Sequence, residues 1–273
     1  MKKSLVGFCN NIEKNYFKVK VWANSFKTVS DAEIHLIVAN PSKEDLDICE
    51  KLQIKTFIVT ENDLHFVYHK RLLHTFEFLK QTDSELLIVT DVFDVVFQHN
   101  PFEKLDTNNY DLFFTGEGVN VSEEPWNGDV IQKVFGEEIN TCRHHEIICS
   151  GVIAGKREQL IDLYQKMYLK CESGTNNHNI KDQAALILLI ANNQINNYNM
   201  LTLNEGWAMH CATSGPTQFF DSWGLRNAIQ LRYHVPILRD DGKVYTENGI
   251  LFDIVHQFNR IPEWYTILTK KYE

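Results

Sequence analysis

The 273-residue sequence has no internal repeat, no low-complexity tract and no stretch rich in proline and glycine. Solenoids, propellers and flexibly linked arrays are thereby excluded. No stretch approaches the roughly 18 apolar residues of a membrane span. The apolar run 4–9 (SLVGFC) is too short for the core of a secretory signal and reads as a first strand. Six cysteines are present, at 9, 49, 142, 149, 171 and 211, but no CxxC pair. Their scatter predicts reduced, buried thiols in a reducing compartment, so a cytoplasmic location is expected. Positive charge is also in deficit: 27 Lys and Arg face 36 Asp and Glu, for a net charge of -9. A general nucleic-acid binder needs clustered cations to displace counterions, so that class is set aside. A phosphate-bearing ligand remains open, provided a divalent cation supplies the local positive charge.

What is present is the composition of an ordinary globular protein, 44% hydrophobic and 23% charged. Residues 16–29 place Phe17, Val21, Trp22, Phe26 and Val29 at helical spacing. Glu33–Ala39 reads as a strand stopped by Asn40-Pro41. Ser42 with Asp45 three residues on predicts a capped helix to about Leu52. Lys55–Val59 reads as a third strand, 68–80 as a helix, and 85–90 (ELLIVT) as a continuous apolar strand. Strands alternating with helices predict an α/β fold with a mostly parallel central sheet and helices on both faces. Further on, 111–115 and 147–154 read as strands, and 157–171 and Asp182–Ala191 as helices. From about residue 204 the pattern becomes irregular.

In open parallel sheets, ligands sit beyond the carboxyl ends of the strands. Asp91 follows the fourth strand directly, and Asp94 comes three residues later, both among apolar residues in LIVTDVFDVVF. Burying two unpaired carboxylates costs several kcal/mol each. A hard divalent cation with oxygen ligands resolves that cost, because Mg²⁺ or Mn²⁺ takes one or two carboxylates plus substrate phosphates. The plainer alternative is a strand-end cap and a solvated turn.

Four segments in order resemble the GT-A glycosyltransferases, in particular the retaining glycogenin-like enzymes and the glycosyltransferase domain of procollagen lysyl hydroxylases. T-D-V-F-D-V-V-F is similar to a D-x-x-D-V variant of the DxD motif. Cys149-Ser150-Gly151-Val152-Ile153-Ala154-Gly155 resembles N-S-G-x-x-x-G, with Cys149 in place of Asn. Lys181-Asp182-Gln183-Ala184-Ala185-Leu186 resembles a D-Q-x-x-L helix start. Ile254-Val255-His256-Gln257-Phe258-Asn259-Arg260 is similar to a late strand ending in a metal-binding His, although H-Q-F-N replaces H-x-x-G.

The resemblance implies a GT-A (Rossmann-like) α/β fold over 1–273, with 1–115 as a nucleotide-binding half and 116–273 as an acceptor and sugar half. It implies a metal-dependent, retaining transferase moving a sugar from a nucleotide-sugar donor, with UDP the favoured nucleotide, to a glycan, lipid-linked or protein acceptor. Asp91, Asp94 and His256 would hold Mn²⁺ (or Mg²⁺). Asp91, Cys149, Ser150, Gly151, Lys70 and Arg260 would contact the donor. Asp182, Gln183 and Glu117 would act on the sugar. Each has a plainer counterpart: a helix cap for Asp182, a core histidine for His256, solvated face charges for Lys70 and Arg71. Trp207 and Trp223 are expected either as a sugar platform or as core.

The cluster Cys142, His144, His145 and Cys149 lacks the paired spacing of a zinc site. Residues 120–145 read instead as a loop that orders over the donor. Three other functions are weighed: a metal-dependent phosphohydrolase, a non-catalytic nucleotide- or carbohydrate-binding protein, and a nucleotidyltransferase. The first needs a second acid two residues after the nucleophile, following the first strand. The last needs a Gly-rich basic loop where Cys9-Asn10-Asn11 stands.

Overall fold

Apolar strands joined by amphipathic helices leave the chain one economical arrangement, a sheet buried on both faces. The computed structural model describes residues 1–62, 67–106, 109–175, 178, 180–211 and 236–272. Its first half runs β1 (Lys3–Cys9), α1 (Tyr16–Lys27), β2 (Glu33–Ala39), α2 (Lys43–Lys51), β3 (Lys55–Val59), α3 (Val67–Leu79) and β4 (Leu86–Thr90). The four strands pair in the order β3-β2-β1-β4, all parallel. At α2 the capping box is formed: the Asp45 amide donates to Ser42 Oγ, and Asp45 Oδ2 accepts from the Ser42 amide, both at 3.0 Å.

The second half reverses the sheet. It comprises β5 (Val95–Phe97), α4 (Glu103–Asp106), β6 (Leu112–Asn120), α5 (Pro125–Phe135), α6 (Ile139–Cys142), β7 (Glu146–Ile148) and β8 (Val152–Lys156). Then follow α7 (Arg157–Ser173), α8 (Asp182–Ala191), β9 (Tyr198–Leu201), β10 (Ala208–His210), β11 (Ile237–Leu238), β12 (Val244–Tyr245), β13 (Ile254–His256) and α9 (Pro262–Lys270). Beyond β4 the large sheet continues β8-β6-β7, antiparallel at each step, with β9 parallel to β6. The remaining short strands build a three-stranded sheet, β10-β13-β5, and a two-stranded antiparallel one, β11-β12. Residues of α3, α7 and α8 pack on one face of the large sheet, and those of α1 and α2 on the other. All six cysteines are buried and unpaired. No helix among the described residues is long and apolar enough to cross a membrane.

Two expectations need correction. The run 147–154 is not one strand. Ile148 faces Gly116 and Ala154 faces Phe113, so six residues advance on one strand while three advance on its partner. The surplus Cys149-Ser150-Gly151 is expelled between β7 and β8 as a bulge. The stretch 120–145 is also not an ordering loop, because α5 and α6 occupy it. Glu124 accepts from the amides of Trp126 (3.0 Å) and Asn127 (2.7 Å), and Pro125 starts α5 where no amide donor is needed. Val130, Ile131 and Val134 then bury that helix against the core.

Close packing holds β1 against the end of β4. A Cβ at Gly7 would lie 2.5 Å from Val92 Cγ2 and 3.0 Å from Trp22 Cζ2. Trp22 in turn donates its indole N–H to Thr90 Oγ1 at 2.9 Å, one residue before Asp91. Gly7→Ala is therefore expected to destabilise the fold by about 1–3 kcal/mol through overpacking. Thermal unfolding checks this, and an unchanged midpoint would show that the contact relaxes freely.

Candidate functional site

Strand pairing brings four distant segments to the carboxyl end of β4. Because β8 runs antiparallel to β4 with Val152 facing Thr90, the bulge that precedes β8 must fall where β4 ends. The Asp91 amide accordingly donates to the Gly151 carbonyl at 2.8 Å. On the other side, β13 pairs with β5 so that His256 faces Val95, the residue after Asp94. The Gln257 amide donates to the Asp94 carbonyl at 2.7 Å, with Gln257 in the left-handed region at φ 59°. The start of α8 supplies Asp182 and Gln183. Together these segments line an open pocket of about 230 Å³ that also takes in Glu117, Trp126 and Arg260.

Charge is concentrated there. His256 Nε2 lies 3.2 Å from Asp91 Oδ2 and 3.7 Å from Asp94 Oδ1. One ligand atom from each of the three residues lies within 4.8 Å of the others. Ligands about 2.1 Å from an octahedral cation stand about 3 Å apart in cis, so this spacing suits a small divalent ion. Two carboxylates with one imidazole suit Mn²⁺ in particular. A cradle is also present: a Cβ at Gly151 would sit 2.4 Å from His256 Cε1 and 2.8 Å from Asp91 Oδ2. Only glycine leaves that space open.

Arg71, from α3, pairs with both Asp91 and Asp182. Burial opposes ionisation of Asp91, yet Arg71 and His256 beside it hold its carboxyl below the usual range. Asp94 lacks the Arg71 contact; burial raises its carboxyl and outweighs the lowering by His256 3.7 Å away, and the neighbouring Asp91 charge adds to the rise. Burial alone would keep His256 neutral, but Cys149 and the two aspartates reverse the direction and raise it. Asp182 is 1% exposed. Its Oδ2 accepts from Arg71 and from Ser150 Oγ (3.1 Å), while its Oδ1 has no hydrogen-bond partner among the described residues. Gln183 is pinned as well. Its amide nitrogen donates to Asn127 Oδ1 at 2.9 Å, and its oxygen accepts from the Ser150 amide at 3.4 Å.

Most of the residues singled out from the sequence meet in this pocket, with corrections. Lys70 does not line it; its ammonium lies over the Tyr168 ring, 5.9 Å from the centroid. Successive helical residues point about 100° apart, so Arg71 faces the pocket and Lys70 does not. Glu117 lies within β6, not on a loop, and is buried to 5% exposure. Cys149 belongs to the bulge, with its sulfur 3.5 Å from His256 Nδ1. Trp207 is core: it is fully buried and donates to the Pro101 carbonyl at 3.0 Å. Trp223 falls outside the described residues. The aromatic at the pocket is Trp126, 39% exposed, which sequence reasoning missed. The E-E-P-W segment, a helix start with an aromatic in its first turn, was its available signal.

No family model matches the chain, and no curated protein does. Among solved structures it is similar to the galactosyltransferase LgtC, in a complex with donor and acceptor sugar analogs. The superposition covers 98% of this chain and 95% of that one, with a TM-score of 0.57 and 13% sequence identity. At that identity the likeness concerns architecture: the chain has the GT-A fold, an α/β arrangement around a mostly parallel central sheet.

Proposed function

We propose that this protein is a divalent-cation-dependent glycosyltransferase that takes a nucleotide-sugar donor, with Asp91, Asp94 and His256 as its cation ligands. The observation that carries this reading is the convergence of those three groups beyond the carboxyl end of β4, beside the unpartnered Asp182 Oδ1. The fold of a galactosyltransferase supports it. Mn²⁺ is the favoured ion, with Mg²⁺ as the alternative. When bound, the ion supplies Lewis-acid neutralisation of the diphosphate that leaves.

The chain's own residues do the rest. Arg71 keeps Asp91 ionised in a partly dry pocket and, by pairing with Asp182 as well, fixes the separation of the two carboxylates. Asp182 Oδ1 accepts a hydroxyl of the donor sugar, the hydrogen bond it lacks among the described residues. Gln183 stands beside it, oriented by Asn127 and Ser150, on the face of the sugar where charge develops. Arg260, which also lines the pocket, meets the anionic part of the donor. Residues 1–115 form the nucleotide side and 116–273 the sugar and acceptor side. The reaction we assign is retaining, with a UDP-sugar as donor and a glycan, lipid-linked or protein acceptor. Six buried, unpaired thiols fit a reducing compartment, and we place the protein in the cytoplasm.

Three outcomes are expected. Asp94→Asn removes Mn²⁺-dependent UDP-sugar binding in calorimetry and leaves the thermal unfolding profile largely intact; binding equal to the parent's would refute the ligand set. Because Asp94 and His256 both hold protons above their ordinary ranges, the cation must displace them. Mn²⁺ affinity is therefore expected to rise with pH through and above the ordinary imidazole range, with proton release visible in buffers of differing ionisation enthalpy. An affinity independent of pH would contradict protonated Asp94 and His256 in the cation-free pocket. Proton NMR of the glycoside formed is expected to show the donor's anomeric configuration, and an inverted product would remove the retaining assignment.

A further inference from the structure

His256 offers its two ring nitrogens to different surroundings. Nε2 faces the two aspartates, and Nδ1 faces away from the pocket toward His210 and Cys149. The second contact follows from strand register. β10 lies parallel to β13, pairing Ala208 with Ile254, Met209 with Val255 and His210 with His256. Paired residues on neighbouring strands put their side chains on the same face, so the two rings are brought edge to face, 5.2 Å between centroids and 85° between planes. Their Nδ1 atoms stand 3.0 Å apart.

A neutral imidazole carries one proton. If Nε2 gives its lone pair to a cation, the proton resides on Nδ1 and needs an acceptor. His210, His256 and Cys149 are all buried, so the acceptor must come from the protein. Among the described residues two atoms are in reach: His210 Nδ1 at 3.0 Å and Cys149 Sγ at 3.5 Å. A ring nitrogen is the stronger acceptor and the nearer one, a thiol sulfur being weak in this role. To accept that proton, the Nδ1 of His210 must carry its lone pair. Its own proton then lies on Nε2, which has no hydrogen-bond partner among the described residues. That orphaned group is a cost the fold carries at full burial.

We infer that His210 is a positioning residue: by accepting the Nδ1 proton of His256, it turns the Nε2 lone pair of His256 toward Asp91 and Asp94. The inference rests on the cation site proposed above. It gives a role to a buried histidine pair that packing alone does not require. Partners of this kind, one step removed from the cation, change affinity by about 10–100-fold when lost. Asn is the conservative replacement, since its amide oxygen can take the place of the ring Nδ1, whereas Phe keeps the volume and loses the acceptor.

The test uses the full chain, with Mn²⁺ alone as the titrant in calorimetry. His210→Phe is expected to weaken Mn²⁺ by about 10–100-fold, and His210→Asn to recover most of that loss. Nitrogen-15 NMR of the parent chain with diamagnetic Mg²⁺ is expected to show His256 protonated at Nδ1, a readout that needs no variant to fold. Parent-like Mn²⁺ binding by His210→Phe, or a cation-loaded His256 protonated at Nε2, overturns the inference. So does a loss with Cys149→Ser where His210→Phe has none, since the thiol would then be the acceptor. Asp94→Asn separates the two levels. If it loses Mn²⁺ while His210→Phe does not, only the positioning role falls; if it binds as the parent does, the cation site falls and the inference with it.

Discussion

The Arg71 guanidinium stands between Asp91 and Asp182 and pairs with both. Without it, Asp91, Asp94 and Asp182 would share one partly dry pocket with little to offset their mutual repulsion, which costs several kcal/mol per buried charge. A planar, permanently charged fork meets two carboxylates at once, which a lysine ammonium does less well. The ion pairs also tie three elements together at this point: α3, the end of β4 and the start of α8. Asp182 is therefore placed relative to Asp91 by one side chain. Asp94 is left outside this arrangement, and burial raises its carboxyl despite the nearby His256.

A second constraint lies in the backbone. Between β7 and β8 the chain uses six residues where β6 uses three, and the excess is expelled toward the end of β4. Bulges of this kind re-aim side chains next to binding sites. In this chain the bulge sends Ser150 to Asp182 and places Gly151 where any side chain would strike His256 and Asp91. One count of residues thus sets the Ser150–Asp182 hydrogen bond and the opening beside His256 and Asp91 together.

Much of this was legible in local sequence. Asp91 is a carboxylate at the end of a continuous apolar strand, and Ser42 with Asp45 is a helix start whose hydrogen bonds are local. His256 ends an apolar strand in the same way. What local pattern does not hold is the phase of one element relative to another. Lys70 and Arg71 are equivalent cations until the rotation of α3 against β4 is known. The break at Cys149 depends on pairing with β6, more than 30 residues earlier in the chain, and in isolation the segment reads as one strand. His210 escaped for the same reason, since its partner is 46 residues away. A faint signal existed: Ala-Met-His and Ile-Val-His are two short apolar runs that each end in histidine, the pattern of neighbouring parallel strands in register.

The electrostatics of the pocket bear on the order in which its ligands arrive. Asp91, Asp94, Asp182 and Glu117 line it, and Arg71 and Arg260 are the guanidinium groups facing them. Arg71 is already engaged by two aspartates, so little positive charge remains to meet a diphosphate, on a chain whose net charge is -9. In the function proposed above, the cation therefore reverses the sign of the surface that an anionic donor meets, in addition to polarising the group that leaves. Cation and donor then stabilise each other's binding by a shared free energy, which acts equally in both directions. A donor approaching the cation-free pocket would find no cation to hold its phosphates, and a cation without the donor would lack the phosphate oxygens that complete its shell. The acidic character that argues against nucleic acid is, in this pocket, what makes the binding of one ligand conditional on the other.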